Sequence, residues 1–205
     1  RFWDYGTGGL GDLGCHYMDL VHWALDLRNP TSLSAQGPTV DRVSTPPWVI
    51  VDYQYPARGK LPAVKLTWYD GGRRPKLLST LEDKSGKPIN WGSAQLFVGQ
   101  SGMILSNYGQ HVLLREGKVT DFKRPEPTIP NSIGHHREWI QAIKTGGTTT
   151  CNFDYAGALT ESVMLGTVAY RSGKRIEWDA KNLKVTNAPE DQSLIHKEYR
   201  KGWTL

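Results

Sequence analysis

The stretch YGTGGLGDLGCHYMD, from Tyr5 to Asp19, decides how this chain is read. Gly6, Gly8 and Gly11 satisfy G-x-G-x-x-G, the spacing of a dinucleotide-binding turn. Such a turn needs a strand before it, a helix after it and an acidic residue roughly 20 positions on. The helix is there. Leu10, Leu13, Tyr17, Leu20, Val21, Ala24 and Leu27 recur at three- and four-residue steps, which predicts a helix over 10–27. Arg28-Asn29-Pro30 stops it. The other two conditions fail. The residues before the glycines, RFWDY, are few and include Asp4, and Thr31 stands where the acid should be. Asp12, read as a first-turn residue, would compete for the free N–H groups and repel a diphosphate. The glycines therefore read as allowing a substrate or cofactor close to a helix start, and not as a phosphate cradle.

Outward from that helix the chain turns to strands. TSLSAQGPTV (31–40), WVIVDYQYP (48–56) and AVKLTWYDGG (63–72) have strand composition and are bounded by Pro and Gly. Residues 73–93 carry no period and many turn formers, an excursion of the kind that is often functional. Residues 94–122 alternate short strands with glycine turns, as an antiparallel meander does. A proline-rich connector (123–131) precedes a short helix, with Ser132 as candidate N-cap and Gly146 as stop. A longer helix follows, capped by Asn152 or Asp154 and ended by Gly173. RIEWD is a last strand, and the tail carries a short helix. Helices do not alternate with strands, so the fold class is α+β, with a large open, mostly antiparallel sheet and helices on one face.

The 205 residues suffice for a substantial core, and 38% hydrophobic with 22% charged residues excludes disorder. No apolar run approaches the roughly 18 residues of a membrane span. Net charge is +5, but the basic residues are scattered, without the stripe or module that nucleic-acid binding requires. Two cysteines, Cys15 and Cys151, make no disulfide framework and leave the compartment open. Eight Trp and nine Tyr supply core, interface and candidate sugar-stacking surfaces.

Chemistry concentrates on the first helix. Asp12 and His16 are four apart and share a face, which Asp19 and Trp23 continue. An Asp one turn before a His orients the ring and fixes its tautomer, as a general acid/base on an alcohol or carbonyl requires. Trp68, Tyr69 and Asp70, ahead of Gly71-Gly72, are candidates to line a sugar pocket, with only one of the two rings on any given face. His135 and His136 open the short helix beside Glu138 and Trp139. Adjacent histidines are expected to point apart, so one at most faces a site. Tyr155 follows the candidate cap Asn152–Asp154. A metal set of Asp12, His16, His135 and His136 has suitable ligand types but no spacing that fixes a geometry, so no metal site is assigned.

GTGGLGDLGCHYMDLVHWALDL (6–27) resembles the segment that opens the C-terminal domain of the Gfo/Idh/MocA oxidoreductases, relatives of glucose–fructose oxidoreductase and inositol dehydrogenase. Gly9, Leu10, Gly11, Asp12, Gly14, His16 and Asp19 fill its G-x-L-x-D-x-G-x-H-x-x-D-like pattern. PARGKLPAVKLTWYDGG, GHHREWIQAIKTG, NFDYAGALTE and HKEYRKGWTL are similar to a bacterial subgroup. The resemblance implies that residues 1–205 are one substrate-binding and oligomerisation domain. It implies that NAD or NADP is bound by an N-terminal Rossmann domain, with its Glu-Lys-Pro lysine, that this sequence does not contain. The isolated chain is then expected to bind no cofactor and to be inactive. Asp12 and His16 take the catalytic places. Asp19, Trp68, Tyr69, Asp70, His135, His136 and Tyr155 are carried as substrate-binding candidates, and Gly8 and Gly9 as neighbours of the nicotinamide. The implied function is oxidation or reduction of a sugar, polyol or glycoside by a homo-oligomer joined through the sheet. The alternatives are an NAD-dependent glycosidase of the same family, a non-catalytic carbohydrate-binding or assembly module, and a metal hydrolase. Bacterial cytoplasm and periplasm both remain open, the latter where a twin-arginine signal precedes the chain.

Overall fold

The computed structural model describes residues 2–203. Arg1 and the last two residues of HKEYRKGWTL lie outside them. The chain divides into two compact units, residues 1–78 with 158–205, and residues 79–157.

The first unit is built on a five-stranded antiparallel sheet. Its strands are β1 (Ser32–Gln36), β2 (Ile50–Tyr55), β3 (Val64–Tyr69), β8 (Ile176–Asp179) and β9 (Lys184–Val185), in the order β3-β2-β1-β8-β9. Alternation along β2 decides its faces. Val51, Tyr53 and Tyr55 are buried, while Ile50, Asp52 and Gln54 are half-exposed. Register carries this across the sheet: Tyr53 pairs with Leu33 and Leu66, Val51 with Trp68, and Leu33 with Ile176. All are buried, so one face is a continuous apolar layer.

That layer is covered by the N-terminal helices and by the end of the longest helix. Helix α1 spans Gly8–Tyr17, α2 spans Asp19–Leu25, and α4 spans Phe153–Ser172. The helix expected over 10–27 thus begins earlier and is interrupted only at Met18, which keeps helical φ/ψ. It ends at Asp26 in a left-handed conformation. The buried stripe is Leu10, Gly14, Met18, His22 and Leu27, four residues per step for most of its length. Leu13 is 43% exposed and Ala24 is also exposed, against the expected stripe. The cause is close helix packing: a Cβ at Gly14 would stand 2.7 Å from Val163 Cγ1 on α4. Two helices approach this closely only where one of them lacks a side chain, and Gly14 fixes which face turns inward.

The second unit is a four-stranded antiparallel meander: β4 (Gln95–Gly99), β5 (Gly102–Ser106), β6 (His111–Arg115) and β7 (Lys118–Thr120). Leu81, Ile89, Leu105 and Leu114 are its buried apolar side chains. Helix α3 (His135–Thr145) belongs to this unit and buries no residue. Its N-cap is Gly134, not Ser132, whose hydroxyl instead accepts the Gly134 N–H at 3.0 Å. Gly146 ends it in the left-handed conformation, as expected. Asn152 caps the start of α4 through the Tyr155 N–H at 3.1 Å. The α+β class and antiparallel pairing hold, and the strands form two sheets. No helix among the described residues is long and apolar enough to cross a membrane.

Candidate functional site

The glycine turn is the first element of the site. Helix α1 starts at Gly8, whose φ of +76° suits glycine. Asp12 therefore lies beyond the first turn, which contains no acidic residue, and this corrects the first-turn placement of its carboxylate. The turn is nonetheless no dinucleotide cradle, for a different reason. The space above the glycines is filled by the chain itself. A Cβ at Gly11 would collide with Thr7 Oγ1 at 1.6 Å, and one at Gly9 would stand 3.0 Å from Asp70 Oδ2. Among the described residues before the turn, Phe2 makes an isolated bridge to Ser44 and not a strand. These residues do not fit a diphosphate, and the glycines serve packing.

Asp12 and His16 are both exposed, on the side of α1 away from Leu10, Gly14 and Met18. At about 100° per residue they stand only about 40° apart around the axis. Asp19, at the start of α2, is half-buried. An imidazole and a carboxylate on one solvent-facing surface can move a proton to or from a hydroxyl.

Strand β3 ends beside the glycine turn. Trp68 lies on the core face, 8% exposed, and its indole N–H donates to Asp70 Oδ2 at 3.2 Å. Tyr69 points to the other face and is half-exposed, so the two rings do divide between faces. The Val49 N–H donates to Asp70 Oδ1 at 2.6 Å. Burial raises the Asp70 carboxyl above the ordinary carboxylate value, and these two donors partly oppose it. Thr7, Gly9, Leu10, Asp70, Gly166 and Tyr170 help to line a cavity of about 10 Å³. That is room for about one water and far too little for a sugar ring. Behind it, Tyr53 is fully buried, its hydroxyl faces Gly166, and among the described residues that hydroxyl has no hydrogen-bond partner.

The remaining candidates belong to the second unit. His135 and His136 are exposed at the start of α3. Their ring centroids are 4.0 Å apart, so these neighbours face each other and do not point apart as expected. Glu138 is tied to Thr150, accepting from its N–H and, at 2.5 Å, its hydroxyl. Tyr155 is half-buried in the first turn of α4. Among the described residues no three His, Cys, Asp or Glu side chains are grouped to hold a metal ion.

One buried group escaped the sequence reading. His22 is 1% exposed, with Nε2 3.0 Å from the Tyr55 hydroxyl and the two rings edge to face at 5.5 Å. Burial lowers its pKa to about 4, an effect that outweighs the nearby Asp19 carboxylate. The four-residue step Leu10–Gly14–Met18–His22 is the signal that would have found it.

Comparison with known proteins bears on this arrangement. Residues 1–65 match the Gfo/Idh/MocA oxidoreductase family's C-terminal alpha/beta domain, the segment that holds Asp12 and His16. No curated protein matches the chain. Among solved structures, an oxidoreductase from Agrobacterium radiobacter in complex with NAD+, L-tartaric acid and magnesium aligns at a TM-score of 0.43 with 14% identity. The alignment covers 81% of this chain and 48% of that one, so the chain spans about half its length. So distant a likeness carries no function across.

Proposed function

We propose that this chain, whose residues 1–65 match the model of the C-terminal domain of the Gfo/Idh/MocA oxidoreductases, is the substrate-side half of an NAD(P)-dependent enzyme acting on a sugar, polyol or glycoside. The observation that carries the proposal is the pairing of that match with Asp12 and His16, exposed together on one side of α1. A nicotinamide, held by an N-terminal nucleotide-binding domain, would supply a hydride acceptor. The residues of this chain handle the proton. His16 takes it from the substrate hydroxyl as the carbon is oxidised and returns it in the reverse direction. Asp12 orients the ring or binds a neighbouring hydroxyl. Gly8 and Gly9, at the head of the helix, are packed against Thr45 and Asp70 and are proposed as no more than neighbours of the nicotinamide. Asp19, on the same helical run, is proposed as a further substrate contact, with Trp68 and Asp70 forming a supporting wall; Tyr69 lies on the other face of the sheet and His135, His136 and Tyr155 in the second unit, and they are not assigned to this site. The half-exposed face of the five-stranded sheet is proposed to join copies of the protein. Its Asp52 already accepts from Thr67 at 2.6 Å and pairs with Lys65 at 3.2 Å.

The test is the full-length protein incubated with NAD+ or NADP+ and a panel of free sugars, polyols and glycosides. Absorbance of reduced nicotinamide and release of aglycone are read together. Reduced cofactor formed with a sugar or polyol supports the proposal. Glycoside cleavage without net reduction assigns the glycosidase reading instead. Neither signal, with carbohydrate binding intact, leaves the non-catalytic module.

A further inference from the structure

Asp70 sits where strand β3 ends, and its carboxylate is held on two sides. The Val49 N–H fixes Oδ1 at 2.6 Å and the Trp68 indole fixes Oδ2 at 3.2 Å. Trp68 is in the core, so the carboxylate inherits the rigidity of the sheet. Oδ2 is directed at Gly9, where a Cβ would be only 3.0 Å away. On the other side of that contact, α1 lacks its own means of finishing its first turn. Thr7 occupies the N-cap position without a side-chain capping bond, and no acidic residue stands in the first turn. The free N–H groups and the dipole of a helix start favour a nearby anion. The adjoining cavity has room for about one water and no more, too little for a sugar ring beside Asp70.

We infer that Asp70 is a positioning residue, propping the glycine turn at the head of α1 against the end of β3 and so fixing the helix that presents Asp12 and His16. The inference deepens the reading of Asp12 and His16 given above and rests on it for its catalytic consequence. Gly9 has a matching role: its missing side chain lets the carboxylate reach the turn. Asp70 touches neither substrate nor cofactor, and its effect on turnover passes through the placement of α1.

The experiment compares Asp70→Asn and Asp70→Ala with the unaltered full-length protein. Hydrogen exchange is followed at the amides of residues 12–14, whose helical acceptors are the carbonyls of Gly8, Gly9 and Leu10. The amides of residues 163–168 on α4 serve as the internal reference. Asp70→Ala is expected to speed exchange at 12–14 about tenfold with the reference unchanged. Asp70→Asn keeps an acceptor for the Val49 N–H and is expected to give a smaller rise. On any sugar or polyol that the protein oxidises, Asp70→Ala lowers kcat about tenfold while KM moves less than about threefold. Unchanged exchange at 12–14 overturns the inference. So does an equal rise at 163–168, which would make Asp70 a general stability residue. A raised KM with kcat preserved also overturns it, by placing Asp70 on the substrate. Where Asp70→Ala does not fold, Asp70→Asn decides by the same exchange pattern. Where no sugar or polyol is oxidised, the functional proposal fails, and the exchange result still decides the structural one.

Discussion

His16 and His22 stand six residues apart on one helical run, and the fold gives them opposite surroundings. His16 is on the exposed side with Asp12. His22 is 1% exposed and bonded to the Tyr55 hydroxyl. At about 100° per residue they are about 120° apart around the axis, so a packing that buries one turns the other toward solvent. The residue type is the same, and the face decides its chemistry: an accessible imidazole can exchange protons with a ligand, whereas a desolvated one is held neutral. The most direct way to break this comparison is His16→Ala in the full-length protein. Turnover is expected to fall about 10³-fold, in the range for loss of a general acid/base, with the melting temperature within about 2 °C of the original. A large drop in melting temperature with turnover kept would reverse the assignment of faces. Steady-state kinetics and thermal denaturation read the two outcomes separately.

The buried histidine makes the second prediction. Its folded-state pKa of about 4 lies below the ordinary 6.5. As pH falls below about 6.5, the unfolded chain takes up a proton that the folded chain refuses. Stability therefore declines between pH 6.5 and 4, and it levels off below the folded value. The full loss amounts to roughly 3 kcal/mol, and above pH 7 the group contributes no pH dependence. Denaturant melts at a series of pH values should show this slope. His22→Gln, which can still bond to Tyr55, should flatten it. An equal slope in the variant would mean that other groups carry the acid sensitivity.

The fold was legible wherever local chemistry speaks plainly. Strands β2 and β3 fall inside the predicted stretches because β-branched and aromatic residues recur along them between Pro and Gly stops, and β1, which has neither, falls inside its stretch between Pro30 and Gly37. Gly146 and Gly173 end their helices in positive φ, as a side-chain-free residue should. What remained hidden depends on partners distant in sequence. The division of the strands into two sheets is set by β1 pairing with β8, some 140 residues on. At the site, Asp12 and His16 were visible as a spacing, and their exposure agrees with a shared face. The Asp70 clamp was not visible, because its strongest partner is the main-chain N–H of Val49, which has no sequence signature. Nor was the true occupant of the glycine turn, where Thr7 and Asp70 fill the space that a dinucleotide-binding turn keeps for phosphates.

The smallest expected effect tests the boundary between the two faces. By periodicity Leu13 belongs to the apolar stripe, yet it is 43% exposed, while the adjacent Gly14 is buried against Val163. Helical rows at three- and four-residue spacing leave the inward direction uncertain by about one position. The choice between Leu13 and Gly14 was made by the depth to which α4 approaches, and no Cβ at position 14 would permit it. If the boundary runs between them, Leu13→Gln removes little buried apolar surface and changes stability by no more than about 0.5 kcal/mol in denaturant melts. Gly14→Ala, the smaller chemical change, is then the costlier one, at about 1–3 kcal/mol of overpacking. The reverse ranking would rotate α1 and move Asp12 and His16 off the exposed face with it.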